Sequence, residues 1–315
     1  MARFVKVASI PGGQLQVRDP RDYEACVQEE LAYWQRQLDK VTPDQPDLIV
    51  TPECCDRPGN LPQGERGEYY HVRGERVRDF FMNAARKHNA NIAYAAVRGM
   101  PDGTYRNSIQ FINRRGEIDG VYNKYMLVIE ENTVWNIRYG RDIEAIQTDI
   151  GRACGAICFD LNFDEPMRKT AAQKPELLVF SSMYHGGFMQ RQWAYQCRAY
   201  TITCIGGTET ASVIDPVGEV ISESSNYYKY LSARINLDYV VAHLDHNWER
   251  LDAMKRKYGD AVDVKVPYGL GCALLTCQSP DHTMPAIVDE FEIERWDDYY
   301  ARSMAARAVP GRVED

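Results

Sequence analysis

The sequence predicts a layered α/β protein, with a mixed β-sheet core and helices outside it. Short apolar runs bounded by Gly, Pro or Asp alternate with amphipathic segments along most of the 315 residues. Several apolar runs also adjoin one another across tight turns, so hairpins are interspersed with crossovers. The composition is 44% hydrophobic, enough to bury a substantial core, and neither an internal repeat nor a low-complexity segment interrupts it.

Val5 to Ile10 is the first strand, broken by Pro11-Gly12-Gly13. Tyr23, Val27, Leu31, Trp34 and Leu38 then recur at helical spacing with charges on the other face. After Pro43 and Pro46, the run Asp47-Leu48-Ile49-Val50-Thr51-Pro52-Glu53 reads as a buried strand delivering a carboxylate to its C-terminal end. A Gly- and Pro-rich loop is expected from Arg57 to about Gly74, carrying Tyr69, Tyr70 and His71; loops this long are usually functional. Val77, Phe80, Phe81, Ala84 and Ala85 mark a second helix, and Asn91 to Val97 the next strand.

Ser108 to Ile112 pairs with Ile118 to Lys124 across Arg114-Arg115-Gly116-Glu117, so Lys124 also closes a strand. Ile146 to Ile150 and Ala153 to Ile157 form a hairpin around Gly151 that ends on Cys158. A helix over Glu165 to Gln173, a buried strand over Glu176 to Ser182 and a helix over Met189 to Ala199 follow. Thr201 to Ile205 and Ala211 to Ile214 are strands, and Asp215-Pro216-Val217-Gly218 turns the chain into Glu219 to Ser222. Leu231 to Ile235 is expected to be the last strand. Residues 236–315 read as an extension that wraps a partner subunit, so the whole of 1–315 is taken as one domain with its core at about 5–235.

A net charge of -8 and a pI near 5.4 argue against nucleic acid or an anionic membrane as partner, leaving a small molecule. The N-terminal apolar run is too short for a signal peptide, and no stretch approaches the roughly 18–20 apolar residues of a membrane span. A cytoplasmic location is expected. Nine scattered cysteines suit reduced thiols in a reducing compartment, and neither Cys54-Cys55 nor Cys272/Cys277 has companions at zinc-ligand spacing. No metal is expected.

Three strand ends therefore carry Glu53, Lys124 and Cys158. A thiol at a strand-to-helix turn is held rigidly where a substrate can approach, and a carboxylate within reach can take its proton and return it to a leaving amine. An ammonium nearby can stabilise the oxyanion of a tetrahedral intermediate. Each residue also has an ordinary structural explanation: an ion-pair partner, a solvated charge, a packed thiol.

Together, Thr51-Pro52-Glu53, Asn123-Lys124-Tyr125, Glu131-Asn132-Thr133-Val134-Trp135 and Ile157-Cys158-Phe159-Asp160 resemble, in order, the motifs of the nitrilase or carbon–nitrogen hydrolase superfamily. The resemblance runs from Val5 to about Ile235 and includes Phe180-Ser181-Ser182, Arg198-Ala199 and Ser212 to Gly218. It implies an αββα sandwich, helices outside two mixed β-sheets, that pairs into a four-layer homodimer or higher homo-oligomer. It further implies Glu53 as general base, Lys124 as stabiliser of the tetrahedral intermediate, Cys158 as nucleophile and Glu131, in preference to Glu130, as a second glutamate beside Lys124. Neither metal nor organic cofactor is implied.

Phe159-Asp160 after the cysteine resembles the amidase and carbamoylase branches, implying cleavage of a linear amide to acid plus ammonia or amine through a thioester. A carbamoylase or nitrilase is the alternative, and a non-catalytic binding protein a third. Many relatives carry arginine a few residues after the cysteine, where Leu161 and Asn162 stand here, which weakens carboxylate-bearing substrates unless Arg168 reaches the site. Candidate substrate contacts are Tyr69, Tyr70, Phe159, Asn162, Tyr184 and His185, with Trp193 beside them, a set suited to a bulky neutral amide.

Overall fold

Long apolar runs give strands covered on both faces, and the two central strands of the second sheet, with every residue buried, are the clearest case. The computed structural model describes residues 2–207 and 210–314. Its first sheet contains β1 (Phe4–Ser9), β2 (Leu48–Val50), β3 (Asn91–Gly99), β4 (Tyr105–Ile112), β5 (Ile118–Asn123) and β12 (Leu231–Asn236), in the order β12-β1-β2-β3-β4-β5. The second contains β6 (Ile146–Gln147), β7 (Arg152–Ile157), β8 (Leu177–Ser182), β9 (Tyr200–Ile205), β10 (Ser212–Ile214) and β11 (Val220–Glu223), in the order β11-β10-β9-β8-β7-β6. Both are mixed. Strands β1, β2 and β3 are parallel, as are β7, β8 and β9, while hairpins extend each sheet in antiparallel fashion.

Helices α1 (Tyr23–Val41) and α3 (Arg76–His88) cover the first sheet. Asp22 caps α1 by accepting from Ala25 N–H at 3.0 Å, and the helix turns Val27, Trp34 and Leu38 into a core shared with Val77, Phe81 and Tyr94. Each such side chain contributes roughly 1.5–3 kcal/mol on burial. The second sheet is covered by α5 (Asp164–Ala172) and α6 (Phe188–Cys197), whose Met167, Trp193 and Cys197 pack on Cys154, Leu178 and Phe180. Between the sheets the fit is close: a Cβ on Gly155 of β7 would lie 2.7 Å from the Tyr122 ring of β5. These layers are the expected αββα sandwich.

The expected loop from Arg57 to Gly74 is shorter than anticipated, because it contains α2 (Arg66–Arg73). Tertiary contacts hold that helix despite the flanking Gly and Pro. Tyr69 Oη donates to the Asp56 carbonyl at 2.6 Å, and Arg73 pairs with the Asp56 carboxylate at 2.7 Å and donates to Val97 O at 2.7 Å. Gly74, at φ 53°, ends it. A short helix α4 (Ile129–Thr133) likewise interrupts the chain after Lys124.

The chain divides into two compact units, Val5–Ile235 and Met1–Phe4 with Asn236–Asp315. The second is not an extended tail. It folds a three-stranded antiparallel sheet of β13 (Tyr239–His243), β14 (Val262–Lys265) and β15 (Cys272–Cys277), with β15 central. Helices α7 (Trp248–Tyr258) and α8 (Met284–Glu290) supply Leu251, Met254, Ile287 and Val288 to its core. Abundant Tyr, Trp and charge concealed the alternating apolar positions that make this core. The helix α9 (Trp296–Arg307) follows, with no buried residue.

Candidate active site

The turn after β2 presents Glu53 because its backbone is pinned on every side. Thr51 N–H and Cys55 N–H continue the bonding to β3, Trp34 Nε1 donates to Cys55 O at 2.9 Å, and Gln14 Nε2 donates to Cys54 O at 3.1 Å. Lys124 directly follows β5, held by its N–H to Asn107 O at 2.8 Å, and its side chain is almost wholly buried. Glu131 lies in α4, where its carboxylate also accepts from Val128 N–H at 2.9 Å. Glu130 is exposed, so the two adjacent glutamates are unambiguously separated.

Lys124 Nζ donates to Glu53 Oε1 at 2.9 Å and to Glu131 Oε2 at 2.7 Å. Asn107 Nδ2 bridges the same two carboxylates, at 2.8 Å to Glu53 and 2.9 Å to Glu131, and Met183 N–H donates to Glu53 Oε2 at 3.0 Å. Burial alone would push the Glu53 carboxyl up, but Lys124, Asn107 and the Cys158 thiol outweigh it and hold it below the usual range. For Lys124 burial works towards the neutral amine, and the two glutamates overturn it, keeping the ammonium.

Cys158 begins a 3-10 turn, Cys158–Asn162, directly after β7. Its φ of 49° is left-handed, a conformation that costs a non-glycine residue of order 1–2 kcal/mol and concentrates at functional turns. Asp160 holds the turn in place: its carboxylate accepts from Ile157 N–H at 2.8 Å, Met126 N–H at 2.6 Å and Tyr122 Oη at 2.7 Å. Asp160 is fully buried, so its place is in the scaffold. The Cys158 thiol and the Glu53 carboxylate lie close enough to act on each other's ionisation: burial, then the Glu53 charge, pushes the thiol up to about 12, against the pull of Lys124.

Of the candidate substrate contacts, Tyr184, Asn162 and Phe159 border the cysteine. Asn162 Nδ2 donates to Tyr184 Oη at 3.0 Å, and the Cys158 and Tyr184 groups influence one another electrostatically. Phe159 packs edge-on to Phe163 at 5.0 Å. His185 turns its Nδ1 back to accept from Gly187 N–H at 3.1 Å. Tyr69 and Trp193 are sealed in the helix-facing cores and offer nothing to a substrate. Tyr70 is nearly buried, its ring 5.4 Å from Tyr105, and its hydroxyl accepts from Arg57. Arg168 is exposed on α5. Sequence reasoning missed Asn107, although the hairpin register that pairs Ser108 with Asn123 sets Asn107 level with Lys124.

A thiol lying in the field of a carboxylate and a buried ammonium can together carry acyl transfer, which points to a known family. Residues 6–243 match the carbon-nitrogen hydrolase family. The chain belongs to that family. It is 25% identical over 210 residues to the hydrolase in the agr operon of Staphylococcus lugdunensis, covering 62% of this chain and 89% of that protein. It is 22% identical over 205 residues to the 2-oxoglutaramate amidase of Bacillus subtilis (strain 168), covering 61% and 78%. Its fold is similar to the crystal structure of a carbon-nitrogen hydrolase from Helicobacter pylori G27, with TM-score 0.61, 18% identity and coverage of 81% and 93%. Hydrolase activity is the family's chemistry.

Proposed function

We propose that this carbon-nitrogen hydrolase is a cysteine-dependent amidase, cleaving a linear amide to a carboxylic acid and ammonia or an amine through a thioester on Cys158. The observation that supports the reading is the buried cluster in which Lys124 bonds both Glu53 and Glu131, with the Cys158 thiol inside the fields of Glu53 and Lys124. The resting pair is a neutral thiol beside a carboxylate, since burial holds the thiol protonated at neutral pH. Proton transfer to Glu53 therefore accompanies attack.

As sulfur bonds to the carbonyl carbon, its proton passes to Glu53 and the carbonyl oxygen becomes an oxyanion facing the Lys124 ammonium. Collapse breaks the C–N bond, with Glu53 returning the proton to the leaving nitrogen. Water then gives a proton to Glu53 and attacks the thioester; the acid departs and Glu53 reprotonates sulfur. Glu131 keeps Lys124 charged, and Asn107 holds the Glu53 and Glu131 carboxylates on either side of it, through both halves.

Ammonia release from a panel of amides, carbamoyl compounds and nitriles tests the assignment. Amides are expected to be the substrates, with Cys158→Ala folded but inactive and mass spectrometry detecting an acyl adduct on the unsubstituted enzyme. Full turnover in Cys158→Ala, or silence across the panel, removes the reading.

A further inference from the structure

Among the described residues, two cations beside this cluster have no anion in an ion pair with them. Arg57 leaves the Glu53 turn four residues on, and Arg66 opens α2. Both are half-buried. The Arg66 guanidinium lies over the Trp135 ring, Cζ 4.0 Å from its centroid, and Trp135 stands four residues beyond Glu131. Its Nε and Nη1 are shielded from solvent with no hydrogen-bond partner. Arg57 reaches only a neutral hydroxyl, Tyr70 Oη, at a long 3.5 Å. Among the described residues neither arginine makes an ion pair. Arg73 on the same helix is the contrast, because its bond to Asp56 at 2.7 Å fully explains its burial.

A guanidinium withdrawn from water is destabilising unless paired, and two that repel each other are more so. Arg57 and Arg66 are close enough for each other's charge to matter, and they lie within the fields of Glu53 and Glu131 respectively. Two carboxylates against the Lys124 ammonium leave the cluster one negative charge, which two unpaired guanidiniums more than reverse. The missing component is an anion with oxygen acceptors, which an arginine's planar fork binds in bidentate fashion.

We propose that Arg57 and Arg66 form a carboxylate subsite, so that the amide cleaved at Cys158 belongs to a molecule carrying a second, ionised carboxyl group. This rests on the amidase reading and specifies its substrate class. It also replaces the expectation of a neutral substrate drawn from Leu161 and Asn162: the cation expected after the cysteine is supplied instead by the segment after Glu53. Trp135 provides the flat apolar wall on which Arg66 is held, and Tyr70 the hydroxyl that orients Arg57.

Binding is measured apart from turnover, by calorimetry on the Cys158→Ala variant with succinamate, glutaramate and adipamate and with their methyl esters. At least one acid is expected to bind tenfold or more tightly than its ester, the preference shrinking as salt rises. Arg57→Gln and Arg66→Gln, checked for folding by circular dichroism, should each abolish most of it, and Arg66→Lys should keep part. Equal binding of acid and ester, failure of every acid to bind, or a preference that survives both substitutions overturns the subsite. Failure of the amidase reading appears separately, as absence of ammonia release and of an acyl adduct in the unsubstituted enzyme.

Discussion

In the proposed mechanism Glu53 must be ionised to accept the thiol proton, and the ammonium and amide around it hold its carboxyl below the ordinary value of about 4.3. A depressed pKa keeps the base active to lower pH. We therefore expect kcat/KM to have an acid limb centred below pH ~4.3 and to stay flat to about pH 9, since Cys158 loses its proton only near 12. Brief assays started from enzyme kept at pH 7 measure this, and a limb centred near pH 6 to 7 contradicts it. Glu53, Lys124 and Cys158 were legible in the sequence because each ends a strand and because the motifs stand in order. Asn107 was not: an asparagine at a strand start is common, and only its register with Lys124 reveals the bridge. Tyr69 and Trp193 were misplaced for the opposite reason, since an aromatic ring lining a pocket and one filling a core have the same sequence signature.

At the scale of elements, the placing of Cys158, the proposed nucleophile, depends on how β7 meets β5. Gly155 admits the Tyr122 ring, Tyr122 Oη holds Asp160, and Asp160 holds the turn that raises Cys158. In Gly155→Ala the new methyl would sit 2.7 Å from that ring, so Tyr122 must shift. Overpacking of this kind costs typically 1–3 kcal/mol. The expected outcome is a lower urea midpoint together with a loss of kcat larger than stability alone explains; a variant with unchanged kcat excludes the linkage. Strands and the long helices were readable from period and punctuation. Helix α2 was not, because its eight residues are held by Asp56, which lies ten residues before the helix starts, and no local pattern encodes that anchor.

At the scale of the molecule, stability has its own pH dependence, set partly by Glu30. This carboxyl on α1 is fully buried with both oxygens unpartnered, and burial, then Asp56 and Glu29, push it up to about 9. The folded state thus holds a proton that the unfolded chain releases near pH 4.3. A raised folded pKa gives a contribution fully present below pH ~4.3 and lost progressively as pH rises through about 9. Glu30→Gln keeps the shape and removes the titration. Its Tm should exceed that of the unsubstituted protein at pH 8, with the gap closing towards pH 4.5; equal gaps at both pH values contradict the assignment. The end of the core near residue 235 was visible where motifs and regular apolar runs ended, although the rest reads in sequence as an extension of one domain. The fold beyond it was not, because three short strands among dense Tyr, Trp and charge mask their own periodicity.

In the proposed mechanism the two sheets divide the reaction between them. Glu53, Lys124 and Glu131 follow strands of one sheet, while Cys158 and the Met183 N–H that steadies Glu53 follow strands of the other. Ser181 Oγ, donating to Thr51 O at 2.8 Å, stitches the two together one step below the chemistry. Neither leaf of the sandwich owns a complete acid, base and nucleophile. On this reading the chemistry is a property of the seam, and side chains that merely set the spacing between the leaves should tune the rate.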